Sequence, residues 1–173
     1  MTYQFLGKVS NSTELRQLSM NELAILAQEI RHRVMEVVSQ SGGHLASNLG
    51  IVELTIALHY VFDFGRDRLL WDVGHQCYVH KLLTGRAHLF DQLRKGGGLS
   101  GFPCPAESCY DQFSVGHAGT SIATAVGLAL GAQLQGCDEK VVALVGDASI
   151  VNGVAFEGIN NTTLLQRQLL IIL

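Results

Sequence analysis

Three short runs, Leu69-Leu70-Trp71, Val141–Val145 and Leu169–Leu173, are apolar without alternation. A strand with one face in water alternates polar and apolar residues. An unbroken apolar run is instead buried on both faces, as in a parallel sheet. Parallel neighbours need long crossovers, usually helical. The intervening sequence supplies them: Thr120 opens an Ala- and Gly-rich segment predicted to be helical to about Gln135, and a second helix is predicted over Val151–Thr163. The small residues of the first suit close packing against a sheet or a partner chain. The expected fold class is α/β, a parallel sheet with helices on both faces.

Upstream, Ser19 is followed three positions later by Glu22, the spacing of a capping box. Leu23, Leu26, Ile30, Val34 and Val37 then recur at helical intervals, with Glu29, Arg31 and Arg33 placed for water. Gly42-Gly43 ends that helix. Asn48 is placed to cap a second helix that has Leu49, Val52, Ile56 and Tyr60 on one face. The run through Leu69 to Val73 is closed by Gly74, and a helix from about Gln76 to Leu83 ends at Gly85. Residues 96–115 are glycine-rich, hold both prolines and read as a long loop of the kind that often carries function. Residues 1–18 show no periodicity and are expected to form an extended arm. Residues 19–173 then make one domain.

A formal net charge of -3 argues against nucleic-acid or anionic-membrane surfaces. No apolar run approaches the roughly 20 residues of a membrane span, and the N-terminus lacks the basic and apolar regions of a signal peptide. Four cysteines, Cys77, Cys104, Cys109 and Cys137, form no Cys-x-x-Cys pair, so the expected compartment is the reducing cytoplasm. Their spacing with His75 and His117 fits no usual structural zinc pattern. No phosphate-loop lysine motif is present, and no Gly-x-Gly-x-x-Gly follows a strand.

Ligands of open parallel sheets bind beyond the carboxyl ends of the strands. Two candidate strands end there in polar clusters, Asp72-Val73-Gly74-His75-Gln76 and Gly146-Asp147-Ala148-Ser149, and Gly116-His117-Ala118 precedes a helix start. Asp147 offers a carboxylate of the kind Mg²⁺ takes alongside substrate phosphates, and Gly146 permits close backbone approach. Asp147 is equally well placed to cap the following helix, and spacing alone leaves both readings open. Gly116 and His117 at a helix start suit a diphosphate, or a capped loop. His44, just after Gly42-Gly43, and His75, at a strand end, are placed to move protons, although a lone histidine is more often structural. His32, His59, His80 and His88 fall within helical patterns and are read as structural.

Together, Gly43-His44-Leu45-Ala46-Ser47, Val52-Glu53-Leu54-Thr55, Ala57-Leu58-His59-Tyr60, Asp72-Val73-Gly74-His75-Gln76, the segment His80 to Arg86, and Ser114-Val115-Gly116-His117 resemble one family. It is the 1-deoxy-D-xylulose-5-phosphate synthases, transketolase-like and thiamine-diphosphate-dependent. The resemblance begins near Leu18 and runs to the last residue. It implies the diphosphate side of a thiamine-diphosphate-binding fold, with thiamine diphosphate and Mg²⁺ as cofactors. It implies pyruvate and glyceraldehyde 3-phosphate as substrates, condensed with loss of CO2 in isoprenoid, thiamine and pyridoxal synthesis. It also implies a homodimer for the full-length family. Residue by residue, His44 and His75 take the catalytic positions, and His75 also lies at the cofactor. Gly116, His117, Ala118, Gly146, Ala148 and Ser149 lie at the diphosphate, and Asp147 binds the metal. Glu157, Asn160 and Asn161 match the stretch that follows.

The resemblance departs in two places. The family's Gly-Asp-Gly reads Gly146-Asp147-Ala148 here, and the added methyl restricts the backbone. The chain also stops at Leu173, before the family's Asn-Asp-Asn segment and the pyrimidine-binding domain. The expectation is therefore an N-terminal fragment, inactive alone. The alternatives are a non-catalytic diphosphate- or partner-binding module, and one chain of a split transketolase-like enzyme.

Overall fold

The computed structural model describes residues 3–173. Contacts group them into two compact units. One comprises the described residues up to Asp63 with His75–Phe102, the other Phe64–Gly74 with Pro103–Leu173.

The second unit is built on a parallel sheet of β1 (Arg68–Trp71), β2 (Val141–Leu144) and β3 (Leu169–Ile172), in that order. Arg68 pairs with Val141 and Val141 with Leu169, so all three strands start level. β2 and β3 each end one residue short of their apolar runs, and β1 ends at Trp71 although the predicted run extends through Val73. After Trp71 the chain leaves the extended region at Val73 (φ 58°) and Gly74 (φ 88°), although Val145 N–H still bonds Ile172 O at 2.8 Å. On one face Leu70, Val141, Ala143 and Val145 pack with Ile122, Ala125 and Ala129 of α6 (Ser121–Leu134) and Ala155 of α7 (Gly153–Asn161). The small residues of α6 let that helix lie close, and burial of this cluster stabilises the unit. Gly158 of α7 sits so near α6 that an added Cβ would come within 2.8 Å of Ala123 N.

The first unit is helical. Ser19 and Glu22 form both halves of the capping box of α2 (Met20–Ser41), and Gly42 at φ 71° ends it. Leu26, Ile30 and Val34 on its inner face are fully buried. Three expectations are corrected here. The segment before Ser19 is no extended arm: Ser12–Leu15 forms α1, and Leu6, Val9 and Leu15 are buried. Glu29, expected to face water, accepts N–H bonds from Phe5 (3.0 Å) and Leu6 (2.7 Å), giving an aperiodic segment a fixed backbone. Nor does Asn48 cap a helix. It lies within α3 (Leu45–Leu49), while α4 (Val52–Val61) starts at Ile51 without a side-chain cap.

Helix α5 (Tyr78–Lys81) runs into a π-type turn, Leu82–Arg86, that breaks at Thr84 and Gly85, and a 3-10 turn, Ala87–Gln92, follows. His59 and His80, both read as structural, form a buried pair with ring nitrogens 3.0 Å apart. Among the described residues no helix or strand occurs between Gln92 and Ser121, so the loop exceeds the predicted span. No helix of the described residues is long and apolar enough to cross a membrane.

Candidate functional site

The loop ahead of α6 and the turn after β2 are tied to one carboxylate. Asp72 directly follows β1 and is 1% exposed. Its Oδ1 accepts from Gly119 N–H at 2.8 Å, and its Oδ2 from Ser121 N–H at 3.1 Å and Ser121 Oγ at 2.8 Å. The Ser149 hydroxyl donates to the same group. Burial alone would raise this carboxyl's pKa. The donors from Gly119, Ser121 and Ser149 outweigh burial and hold it below the ordinary carboxylate value. Gly119 has φ 83°, and a Cβ there would lie 2.6 Å from Asn152 Cγ. Asn152 in turn bonds Ala118 O at 3.4 Å and caps α7 through Val154 N–H at 2.9 Å.

That cap settles one open reading. The residue capping α7 is Asn152, so Asp147 is not its cap. The turn is closed instead by Ser149 N–H on Gly146 O at 2.9 Å, with Ser149 buried and Asp147 and Ala148 exposed. Among the described residues the Asp147 side chain makes no hydrogen bond or ion pair, leaving a carboxylate directed at no protein group. Ala148 has no positive φ, so the alanine occupies ordinary backbone where the family motif has glycine. Gly116, His117 and Ala118 are exposed, and Gly116 and His117 line a groove of about 290 Å³ with Trp71, Phe113 and Thr120.

Strain marks the Asp72 turn. Gly74 N–H bonds Asp72 O at 2.6 Å across Val73, a β-branched residue at φ 58°. Such a conformation costs on the order of 1–3 kcal/mol and persists where surrounding contacts hold it. A Cβ on Gly74 would fall 2.6 Å from Pro103 and Val115 atoms.

The helical unit holds the two candidate histidines. His44 is exposed, immediately before α3, and His75 is half-buried. Their ring centroids are 5.0 Å apart at 63°, and His44 also meets Phe102 edge-on at 6.2 Å. Desolvation, then the proximity of His44, lowers the His75 pKa below the ordinary imidazole value. Its Nδ1 is buried and has no hydrogen-bond partner among the described residues. The ring is therefore not held by a hydrogen bond at that nitrogen, and the lowered pKa favours its neutral form.

Reading from sequence singled out the histidines and Asp147 but gave no role to Asp72, Gly119 or Asn152, and gave Asn48 only that of a helix cap. Asp72 could have been found from an acidic residue in the first position after a buried strand, where free helix N–H groups need an acceptor. The contacts of Gly119 and Asn152 join segments far apart in sequence and leave no local signal.

A short parallel sheet with polar turns beyond its strand ends defines the fold class. The solved transketolase of Campylobacter jejuni shares that fold, with a TM-score of 0.73 at 22% identity over 82% of this chain and 26% of that one. The family model described as 1-deoxy-D-xylulose-5-phosphate synthase matches residues 6–173. The chain belongs to that family. Among similar curated proteins, the synthase of Azobacteroides pseudotrichonymphae is 50% identical over 171 residues, 99% of this chain and 27% of that protein. The synthase of Cupriavidus metallidurans is 54% identical over 161 residues, 93% and 25% respectively. The chain thus spans about a quarter of the length of these relatives.

Proposed function

We propose that residues 19–173 form the diphosphate-side cofactor domain of a synthase that condenses pyruvate with glyceraldehyde 3-phosphate, losing CO2. The cofactors are thiamine diphosphate and Mg²⁺, and the enzyme is a cytoplasmic homodimer. The supporting observation is the buried Asp72, whose donors come from both the His117 loop and the Asp147 turn.

The residues fit the cofactor. Asp147 carries an exposed carboxylate with no partner among the described residues, the hard oxygen donor that Mg²⁺ prefers alongside phosphate oxygens. No cluster of three or more His, Cys, Asp or Glu side chains able to hold a metal occurs among the described residues, so phosphate and water oxygens would complete the ion's shell. Gly116, His117, Ala118, Gly146, Ala148 and Ser149 would hold the diphosphate by backbone N–H groups and the imidazole. When bound, the thiazolium supplies the electron sink for decarboxylation and carbon–carbon bond formation. Asp72 fixes the loop and the turn before any ligand arrives, so little ordering entropy is spent on binding. His75, whose lowered pKa favours the neutral ring, acts as proton acceptor, and His44 delivers or removes protons from the exposed side.

Calorimetric titration of thiamine diphosphate tests this. Heat is expected with Mg²⁺ and little without it, and Asp147→Ala is expected to remove the magnesium-dependent part while leaving the unfolding midpoint in place. No heat in either condition, or equal heat from Asp147→Ala, overturns the assignment.

A further inference from the structure

Asn48 is fully buried, and all its hydrogen bonds go to backbone. Its Nδ2 donates to His44 O at 2.6 Å and His75 O at 2.9 Å, and its Oδ1 accepts from Tyr78 N–H at 2.9 Å. One amide thus joins segments that lie 31 positions apart in the sequence (75 minus 44). Behind it, the Tyr78 hydroxyl takes a long bond of 3.4 Å from His44 N–H and lies 2.7 Å from where a Cβ on Gly43 would stand, so Gly43 lets the loop seat on this ring. Tyr78 is itself fully buried and edge-on to Phe90.

Neither imidazole is held by its own ring nitrogens. Among the described residues the only hydrogen bond donated by His44 comes from its backbone, and His75 Nδ1 has no partner. The ring-to-ring distance is therefore set by the backbones that carry the rings, and the side chain that grips both backbones is Asn48.

We propose that Asn48 is a positioning residue that holds His44 and His75 in register by bonding both of their carbonyls. The importance of that register for catalysis rests on the histidine roles proposed above; the register itself does not. An amide suits the position because it donates twice and accepts once in the same plane, which neither a carboxylate nor a hydroxyl can do. Removing it takes this donor from two part-buried carbonyls and the acceptor from one buried N–H, and the chain relaxes there first.

The test is NMR on the full chain with labelled histidines. The His44–His75 ring-to-ring cross-peak and the titration of His75 are followed in wild type, Asn48→Ala and Tyr78→Phe, with the buried His59 signal marking a folded unit. In Asn48→Ala the cross-peak is expected to vanish and the His75 titration to rise toward the ordinary imidazole value. In Tyr78→Phe only His44 is expected to shift. A folded Asn48→Ala that keeps the cross-peak and the His75 titration overturns the proposal. Should Asn48→Ala lose the His59 signal, Tyr78→Phe decides: an unmoved His75 supports the proposal, and a His75 displaced together with His44 overturns it. Thiamine diphosphate with Mg²⁺, added to wild type, separates the two readings. A silent His75 then removes its catalytic role, while the variant comparison still tests Asn48.

Discussion

The sheet-bearing unit and the helical unit solve the same problem with different chemistry. In the first, Asp72 receives donors only: two backbone N–H groups and two hydroxyls, from the loop before α6 and the turn after β2. In the second, Asn48 faces two carbonyls and one N–H. Helix starts and tight turns present unpaired N–H groups, so a full negative charge is the strong partner there. Where two carbonyls and one N–H must be held together, a charge of that sign would repel the carbonyls, and a neutral amide supplies both donors and the acceptor. Each unit fixes segments distant in sequence through one buried polar side chain.

The comparison is broken most severely by Asp72→Ala. It strands buried N–H groups at Gly119 and Ser121, so roughly 3–5 kcal/mol of stability is expected to disappear, read as a lower urea midpoint. A loss below about 1 kcal/mol would mean that the two segments are held by other contacts. Asn48→Asp comes next. It keeps the acceptor for Tyr78 N–H but turns a carboxylate toward two carbonyls, at an expected cost of about 2–3 kcal/mol by the same measurement. That penalty should shrink at acid pH, where the introduced carboxyl protonates and can donate to one carbonyl. An Asn48→Asp variant as stable as wild type would abolish the contrast between the units.

The smallest effect is in the acid response. Desolvation, then the neighbouring His80 and Arg86, holds the His59 pKa well below the ordinary imidazole value. The unfolded chain therefore takes up a proton that the native chain refuses, and this part of stability is present above the imidazole range and lost as pH falls through it. His75 acts in the same direction. The Asp72 pKa is also lowered, but from the carboxylate value, so its contribution is intact until pH falls below that range. Amide exchange against pH should show protection falling in the helical unit first, and His59→Leu should flatten that first step. Simultaneous loss in both units, or an earlier loss around Asp72, would contradict the assignment.

Much of this was legible because it is local. The capping box at Ser19 and Glu22, the Gly42 stop, the three strands and the small-residue helix α6 are nearest-neighbour physics, and the structure has each of them, although β3, expected to be buried on both faces, is only part-buried and leaves Leu170 exposed. The segment before Ser19 was misread because Leu6 and Val9 bury with no period to reveal them, and Glu29 was misread because its partners are backbone groups more than twenty residues away. Asn48 stands where a cap would be expected, and only the fold brings His75 and Tyr78 to it. The histidines and Asp147 were visible by motif, while the residues that position them act through long-range contacts.

The central claim is that the His117 loop and the Asp147 turn, joined through Asp72, hold one metal–diphosphate group. It is tested most directly by adding Mn²⁺ with thiamine diphosphate and reading which backbone amide signals broaden. The account predicts strong broadening at Gly116–Gly119 and at Gly146–Ser149 together, absent with Mn²⁺ in Asp147→Ala. Broadening confined to one of the two segments, or centred elsewhere on the chain, would contradict it.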